Sequence, residues 1–472
     1  MSSTAFRTEN SFASLPAKIR RLPHNARNLA LCALLLTDAG LSAQQALAAV
    51  FSAVGAAQAN AAGDVEGRAD TCALPAVERN LCSELVYGYL RTEIRIAFVL
   101  GRVLPRPQSL PQPLQHVLGL AVYGLLFQDR VPDHAAVHSA VESARLLYGQ
   151  ALAKVANGAL RSVQRFGDAP QQQDFYVVHG AAADRLQQLA YYYSLPLWII
   201  GHWNKRYGAE AAAQLAQRSF DRPWSALRVN AMHADAHTLL AGLLDSGGVA
   251  VGQWGCAFAP GALPHSLAGR TLADWQLCGA VSYQSAGSQL VLEQLGVYGW
   301  DKPVWDVCAG FGGKTVALLE RGISVPLATD RSLQRLSGLP GQCRRLSLAC
   351  PSTALVDATN SPLPGWSGHM LVDAPCSGLG VLARRPDIRR RPQHQAVEHE
   401  QMQRRILDQL VTLLRPGSEL AYITCTLRVQ ENEKQIERLI KEHPDLTMRS
   451  QWQTANNHPW LEGMFGAVLR KD

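Results

Sequence analysis

Two short strings near the end of the chain carry the residues best suited to chemistry, Asp373-Ala374-Pro375-Cys376-Ser377-Gly378 and Tyr422-Ile423-Thr424-Cys425-Thr426. Each sets a cysteine where an apolar, strand-like run stops, so two thiols are expected at the ends of parallel strands. A thiolate is a soft nucleophile that attacks electron-poor carbon, and nearby positive charge or a helix end activates it by lowering its pKa. C6 of a pyrimidine is such a carbon. Attack there makes C5 nucleophilic enough to take a methyl group from the sulfonium of S-adenosylmethionine. A base then removes the C5 proton and the thiol is eliminated, a release step that a second thiol can serve. The target base has to be unstacked for a thiol to reach its face. Cys32, Cys72, Cys82, Cys256, Cys278, Cys343 and Cys350 are expected to be buried small hydrophobes instead.

A place for a cofactor is expected upstream, where Trp305-Asp306-Val307-Cys308-Ala309-Gly310-Phe311-Gly312-Gly313-Lys314-Thr315 reads as strand, glycine turn and helix start. Gly312 and Gly313 permit a tight turn and a close backbone approach. A Walker phosphate loop is excluded, because its first glycine would fall at Cys308. Asp330 ends the next strand, where an acidic residue can bind ribose hydroxyls, and Asp357 ends a third. With Asp373 these carboxylates would line the crevice at the carboxyl edge of a sheet. Between the two cysteine strings, Ala383-Arg384-Arg385-Pro386-Asp387-Ile388-Arg389-Arg390-Arg391 reads as a basic loop at the pocket mouth that contacts RNA.

The elements that must position these residues alternate from about residue 278 onward. Strands are expected at 304–307, 325–329, 355–356, 369–372 and 420–424, with helices after Lys314, Leu333, Gln401 and Glu431, the pattern of a parallel α/β sheet. From Arg27 to about Arg165, apolar residues recur at helical spacing, for example Leu85, Tyr87, Leu90 and Ile94, and predict an all-helical bundle broken by a Pro-rich loop at 104–113. The segment 29–51 reads as one unbroken Ala/Leu helix. Between bundle and core, helices at 191–203 and 207–220 and a strand at 226–230 suggest a small α+β module. The expected division is a flexible basic arm over 1–26, the helical domain over 27–166, a linker over 167–182, an extension over 183–278 and the catalytic domain over 279–472.

At 472 residues the chain is long enough for several modules. The balance of 45 Lys+Arg against 38 Asp+Glu, a net charge of +7, is too mild to establish a polyanion partner by itself. Ten scattered cysteines without close C-x-x-C pairs argue against a zinc site and for a reducing cytoplasm. No apolar run approaches the length of a membrane span. The basic N-terminal stretch reads as an arm, an organellar transit peptide being the alternative.

Taken together the motifs resemble the bacterial Sun/Fmu-type (RsmB-like) RNA cytosine-C5 methyltransferases, which act on 16S ribosomal RNA. The resemblance covers nearly everything after Arg27. It rests on Asp306 to Thr315, Asp330, Asp357, Asp373 to Leu382, Arg384 to Ile388, Leu413 to Gly417, Thr424-Cys425 followed by Glu431 to Glu433, and Gly463 to Ala467. Residues 84–91, 132–137 and 155–161 look like that family's NusB-like N-terminal domain, and 194–198 with 227–230 like its substrate-binding extension.

The resemblance implies an α/β, Rossmann-like S-adenosylmethionine-dependent core preceded by a helical NusB-like domain and the extension. By it, Cys425 is the nucleophile and Cys376 assists product release. The loop Cys308, Ala309, Gly310, Phe311, Gly312, Gly313 and Lys314, with Asp330, Asp357 and Asp373, surrounds S-adenosylmethionine. Asp373 also meets the polar edge of the cytosine, and Lys314 tunes the reaction. Four positions depart from the family pattern: Phe311 replaces a proline, Ser285 an aspartate, Thr426 a serine and Arg390 a tryptophan. RNA, 16S ribosomal or alternatively transfer RNA, is the expected partner of a metal-free, membrane-free monomer. The rival of a different class is a non-catalytic RNA-binding factor for ribosome assembly.

Overall fold

Apolar residues at helical spacing bury one another in the first part of the computed structural model, which describes residues 11–61, 74–129, 131–178 and 185–472. Two units emerge: residues up to Phe220 together with Arg385–Arg390, and Asp221–Arg384 together with Arg391–Asp472.

The first unit is helical, with α1 (Ala26–Asp38), α2 (Ala43–Ala61), α3 (Ala76–Val103), α4 (Gln112–Phe127), α5 (Asp133–Gln164, broken at Gly149), α6 (Arg185–Tyr192) and α7 (Leu197–Phe220, broken at Gly208). Leu31, Leu34, Val86, Leu118 and Val122 are among the residues of its core. The unbroken helix expected over 29–51 stops at Gly40, whose φ of 98° no helix accommodates. The arm expected to be flexible is folded from residue 11, because Leu15, Ile19 and Leu22 are buried in the core; residues 1–10 lie outside the described residues. The expected linker likewise forms short 3-10 turns at Ala169–Gln171 and Gln173–Tyr176, and buried Tyr176 donates its hydroxyl to Pro170 O at 2.8 Å. The linker residues 179–182 are outside the described set.

Residues 385–390 complete this unit. Buried Arg389 donates to the carbonyls of Tyr193 (3.3 Å), Ser194 (3.0 Å) and Ser219. Arg390 is bidentate on Glu93 at 2.7 and 2.6 Å and pairs with Asp38 at 2.6 Å. This overturns the reading of the basic loop as an RNA clamp. Arg385 pairs with Asp387 at 3.0 Å, and Arg384, in the other unit, pairs with Glu462, so Arg384, Arg385, Arg389 and Arg390 of the run all bond to protein acceptors.

The second unit opens with an antiparallel sheet in the order β2 (Val249–Val251), β3 (Gly255–Phe258), β1 (Ser225–Val229), β4 (Val281–Tyr283). Helix α8 (Ala286–Gln294) follows, its first turn capped by Ser285 Oγ, which accepts from Ser288 N at 3.4 Å. Ser285, one of the departures from the family pattern, thus serves here as an N-cap.

The catalytic sheet then alternates with helices: β5 (Val304–Asp306), α9 (Gly313–Leu319), β6 (Leu327–Asp330), β7 (Ser352–Leu355), β8 (His369–Asp373), α10 (Gln393–Leu413), β9 (Glu419–Thr424) and α11 (Glu433–Glu442). Two antiparallel strands, β10 (Leu446–Gln453) and β11 (Phe465–Lys471), close it, and the spatial order is β10-β11-β9-β8-β5-β6-β7. The five strands from β9 to β7 are parallel. From β5 the chain winds outward through β6 and β7, then returns on the other side through β8 and β9. That reversal opens a crevice at the carboxyl ends of β5 and β8, where ligands bind in doubly wound sheets.

Candidate active site

The glycine loop occupies this crevice. Asp306, the last residue of β5, accepts from Thr315 Oγ1 at 2.6 Å, which ties the start of α9 to the strand end. Burial pushes its carboxyl up to about 7. Gly310 and Gly312 take positive φ values of 58° and 83°. A side chain at Gly312 would overlap Leu339, whereas one at Gly310 would meet nothing within 4 Å, so the loop is braced behind and open in front. Asp330 shapes the loop directly: one carboxylate oxygen accepts from Gly310 N at 3.0 Å, the other from Ser332 N at 2.8 Å, and Arg335 pairs with it at 3.1 Å. The oxygen bonded to Gly310 N retains a lone pair for a ligand hydroxyl, whereas the other is taken by Ser332 N and Arg335. Phe311 is 54 % exposed, with its carbonyl held by Gln342. Cys308 is half-buried, and burial followed by the charge of Asp330 pushes its thiol far up, so it stays protonated.

Asp357 sits two residues past the end of β7 rather than on it, exposed and accepting from Thr359 N (2.9 Å) and Oγ1 (2.7 Å). Those bonds hold its carboxyl below the usual carboxylate range. At the end of β8, Asp373 pairs with the buried Lys314 Nζ at 2.5 Å. β8 and β9 are in register with Asp373 opposite Ile423, and this sets the two cysteine strings side by side.

The sulfurs of Cys376 and Cys425 are 3.2 Å apart, and both residues are partly exposed rather than sealed in the core. The two thiols titrate as a pair. Hydrogen bonding from Cys376 lowers Cys425, against burial and the negative charge of Asp373, with a smaller help from Lys314, and the same bond raises Cys376. The Cys425 amide, which donates to Cys376 Sγ at 3.4 Å, pulls the opposite way but is the smallest of the influences on Cys376. The two directions make Cys425 the more acidic member of the pair and Cys376 the hydrogen-bond donor.

Every residue expected around the cofactor and the reaction thus lies in the same unit, at strand ends of one sheet or in the loops that leave them, with Asp357 more peripheral than its expected strand-end place. Of the cysteines expected to be buried, Cys278 and Cys350 are exposed, Cys32, Cys82, Cys256 and Cys343 are buried, and Cys72 lies outside the described residues. Two supports escaped the sequence. Arg228 forms a buried bidentate pair with Glu320 (2.6 and 3.0 Å) and reaches Gly313 O at 3.2 Å, where Gln284 Nε2 also donates at 3.2 Å. Glu431, Gln403 and Asn432 bind the cysteine loops. Only the run Glu431-Asn432-Glu433 signalled them, and it does not say which atoms they hold.

A parallel sheet wound both ways around a glycine loop, with carboxylates at successive strand ends, is the frame of a Rossmann-like methyltransferase domain. A model of the family described as 16S rRNA methyltransferase RsmB/F matches residues 300–460, and one of the NusB family matches residues 24–165. The probable ribosomal RNA small subunit methyltransferase B of Bacillus subtilis is 32 % identical over 78 % of this chain and 81 % of its own. The ribosomal RNA small subunit methyltransferase B of Erwinia tasmaniensis is 31 % identical over 81 % and 88 %. The chain belongs to the RsmB/F family of 16S rRNA methyltransferases, with a NusB-type N-terminal domain. Its fold is shared by the crystal structure of PH0851, at a TM-score of 0.70 and 20 % identity over 97 % of this chain and 99 % of that one. Among the described residues no helix is long and apolar enough to cross a membrane, and no cluster of potential metal ligands occurs.

Proposed function

We propose that the protein methylates C5 of a cytosine in small-subunit ribosomal RNA, in the cytoplasm, with S-adenosylmethionine as donor and Cys425 as nucleophile. The observation that carries the reading is the sulfur pair, 3.2 Å apart, with the Cys425 thiol lowered by its hydrogen bond from Cys376, at strand ends that also carry the Lys314–Asp373 ion pair. The residues present fit the donor: an open glycine loop from Cys308 to Lys314, and the carboxylates of Asp330, Asp357 and Asp373. When bound, S-adenosylmethionine supplies an electrophilic methyl group.

The chain's own residues account for the remainder. Ionised Cys425 attacks C6 of an extruded cytosine, and its electron pair forms the S–C6 bond. Asp373, with 38 % of its side chain exposed, is available to the polar edge of the base while Lys314 holds it in place. Two of the influences that raise Cys376, the hydrogen bond and the negative charge of Cys425, vanish once that sulfur becomes a thioether, while burial and the charge of Glu431 remain. With those two influences gone Cys376 gives up its proton to solvent more readily, and its thiolate accepts the proton at C5. As it does so the C5–H pair re-forms the C5=C6 double bond, and the S–C6 pair returns to Cys425.

Bisulfite sequencing of ribosomal and transfer RNA from cells with and without the protein tests the assignment. A small-subunit rRNA cytosine should lose methylation in its absence and regain it with the wild-type protein but not with Cys425→Ala. A lost site in transfer RNA would move the substrate, and no lost site in any RNA would leave a non-catalytic assembly factor.

A further inference from the structure

Glu431 is completely buried, at 0 % exposure. Its Oε2 accepts from the Ser377 amide at 2.8 Å and from Gln403 Nε2 at 3.0 Å. Gln403, buried on α10, also donates to Pro375 O at 2.9 Å, so the peptide groups on both sides of Cys376 are gripped by one pair of side chains. Glu431 Oε1 has Arg428 Nη1 at 3.4 Å. From the cysteine-425 side, Tyr422 donates its hydroxyl to the Glu431 carbonyl at 2.7 Å, and Asn432 binds Thr424 Oγ1 (2.6 Å) and Thr426 O (2.9 Å), the residues flanking Cys425. A carboxylate removed from water persists only where bonded and paired, and the strongest bonds of this one run to the Cys376 turn.

We infer that Glu431 is a positioning residue for the release half of the reaction: through Ser377 and Gln403 it fixes the Cys376 thiol against the sulfur of Cys425. The inference rests on the function proposed above. Release needs Cys376 to take the C5 proton while the S–C6 bond breaks and its electron pair returns to Cys425. A Cys376 turn that drifts leaves Cys425 able to attack C6 and unable to let go. Attack and methyl transfer depend on Cys425, Lys314 and Asp373, none of which Glu431 touches through its side chain.

The test compares wild type, Cys376→Ala, Glu431→Ala, Glu431→Gln and Gln403→Ala full-length proteins with S-adenosylmethionine and an unmodified small-subunit rRNA transcript. Covalent protein–RNA complex is read on denaturing gels and methyl incorporation in the first turnover. Glu431→Ala should accumulate complex on the order of tenfold above wild type, as Cys376→Ala does, with first-turnover methylation little changed when all are read at a pH alkaline enough to ionise Cys425 in every variant. Glu431→Gln, which keeps an acceptor for Ser377, should fall between the two, and Gln403→Ala guards against a variant that does not fold. Complex with Cys376→Ala but not with Glu431→Ala or Gln403→Ala overturns the inference, as does equal loss of methylation and complex. No complex even with Cys376→Ala overturns the parent reading instead. A second readout needs no RNA: the pH dependence of Cys425 alkylation by iodoacetamide. With its hydrogen-bond donor displaced, Cys425 in Gln403→Ala, which leaves the Glu431 charge in place, should ionise at higher pH, as in Cys376→Ala, and an unmoved profile contradicts the proposed positioning whatever the gels show.

Discussion

At the scale of single residues the site is an arrangement of protons. The hydrogen bond from Cys376 lowers Cys425, so Cys376→Ala should move the acid limb of single-turnover methylation to higher pH, because the thiolate loses its donor. An unmoved limb would mean that another group sets the profile. Asp306 holds a second proton. Burial raises its carboxyl to about 7, well above the roughly 3.9 of an unfolded chain, so between those values the folded state binds a proton that the unfolded state does not. Its contribution to stability is fully present below the unfolded value and is lost as pH rises toward about 7. Asp306→Asn should lose this slope in urea unfolding followed from pH 4 to pH 8, and parallel curves for the two proteins would contradict the account. The two cysteines and the strand-end carboxylates were legible in the sequence because each is tied to a motif that ends a strand. The partners of Glu431 were not, since Ser377 and Gln403 lie 54 and 28 residues away and meet it only through packing. The basic run was misread because counting arginines says nothing of the carbonyls and carboxylates folded around them.

At the scale of elements, the catalytic loops are held by close backbone crossings and by buried ions. Gly380 N donates to Cys425 O at 3.0 Å, and Gly463 N donates to Gly380 O at 2.9 Å. A Cβ at Gly380 would overlap the Gly463 carbonyl, so Gly380→Ala should force the Cys425 loop to shift and lower methylation more than it lowers the melting temperature. Equal activity in that variant would show the crossing to be dispensable. The Arg228–Glu320 pair, buried on both sides, braces the glycine loop through Gly313 O. Removing one partner leaves an uncompensated charge, and Glu320→Gln should cost about 3–5 kcal/mol in urea unfolding, against the smaller loss of a surface pair. The parallel strands and their crossover helices were readable from alternation alone. The closing β10–β11 pair was not, because Met448 and the polar residues around it leave β10 mostly exposed and without a continuous apolar face.

At the scale of the whole molecule, the chain makes two units that sequence order alone does not delimit, since Arg385–Arg390 folds with the helices while its neighbours on both sides belong to the sheet unit. Arg390 stands where the family has a tryptophan, and it satisfies Glu93 on α3 and Asp38 at the end of α1. Arg390→Ala should therefore weaken the helical unit, by about 1–3 kcal/mol for the lost charged hydrogen bonds. Hydrogen exchange should quicken in α1 and α3 and stay unchanged in β5, β8 and β9, whereas uniform quickening would contradict this division. The helical bundle and the α/β core were each legible as classes from periodicity, but the return of a six-residue segment to the bundle depends on side-chain pairing that periodicity does not encode. The account as a whole stands on the sulfur of Cys425, and mapping a trapped covalent complex tests it most directly. Full-length protein incubated with S-adenosylmethionine and a small-subunit rRNA transcript containing 5-fluorocytosine should yield a stable protein–RNA complex, with the modified base attached to the peptide that contains Cys425. Attachment to Cys376, or no complex with a protein that is folded and binds the donor, would contradict it.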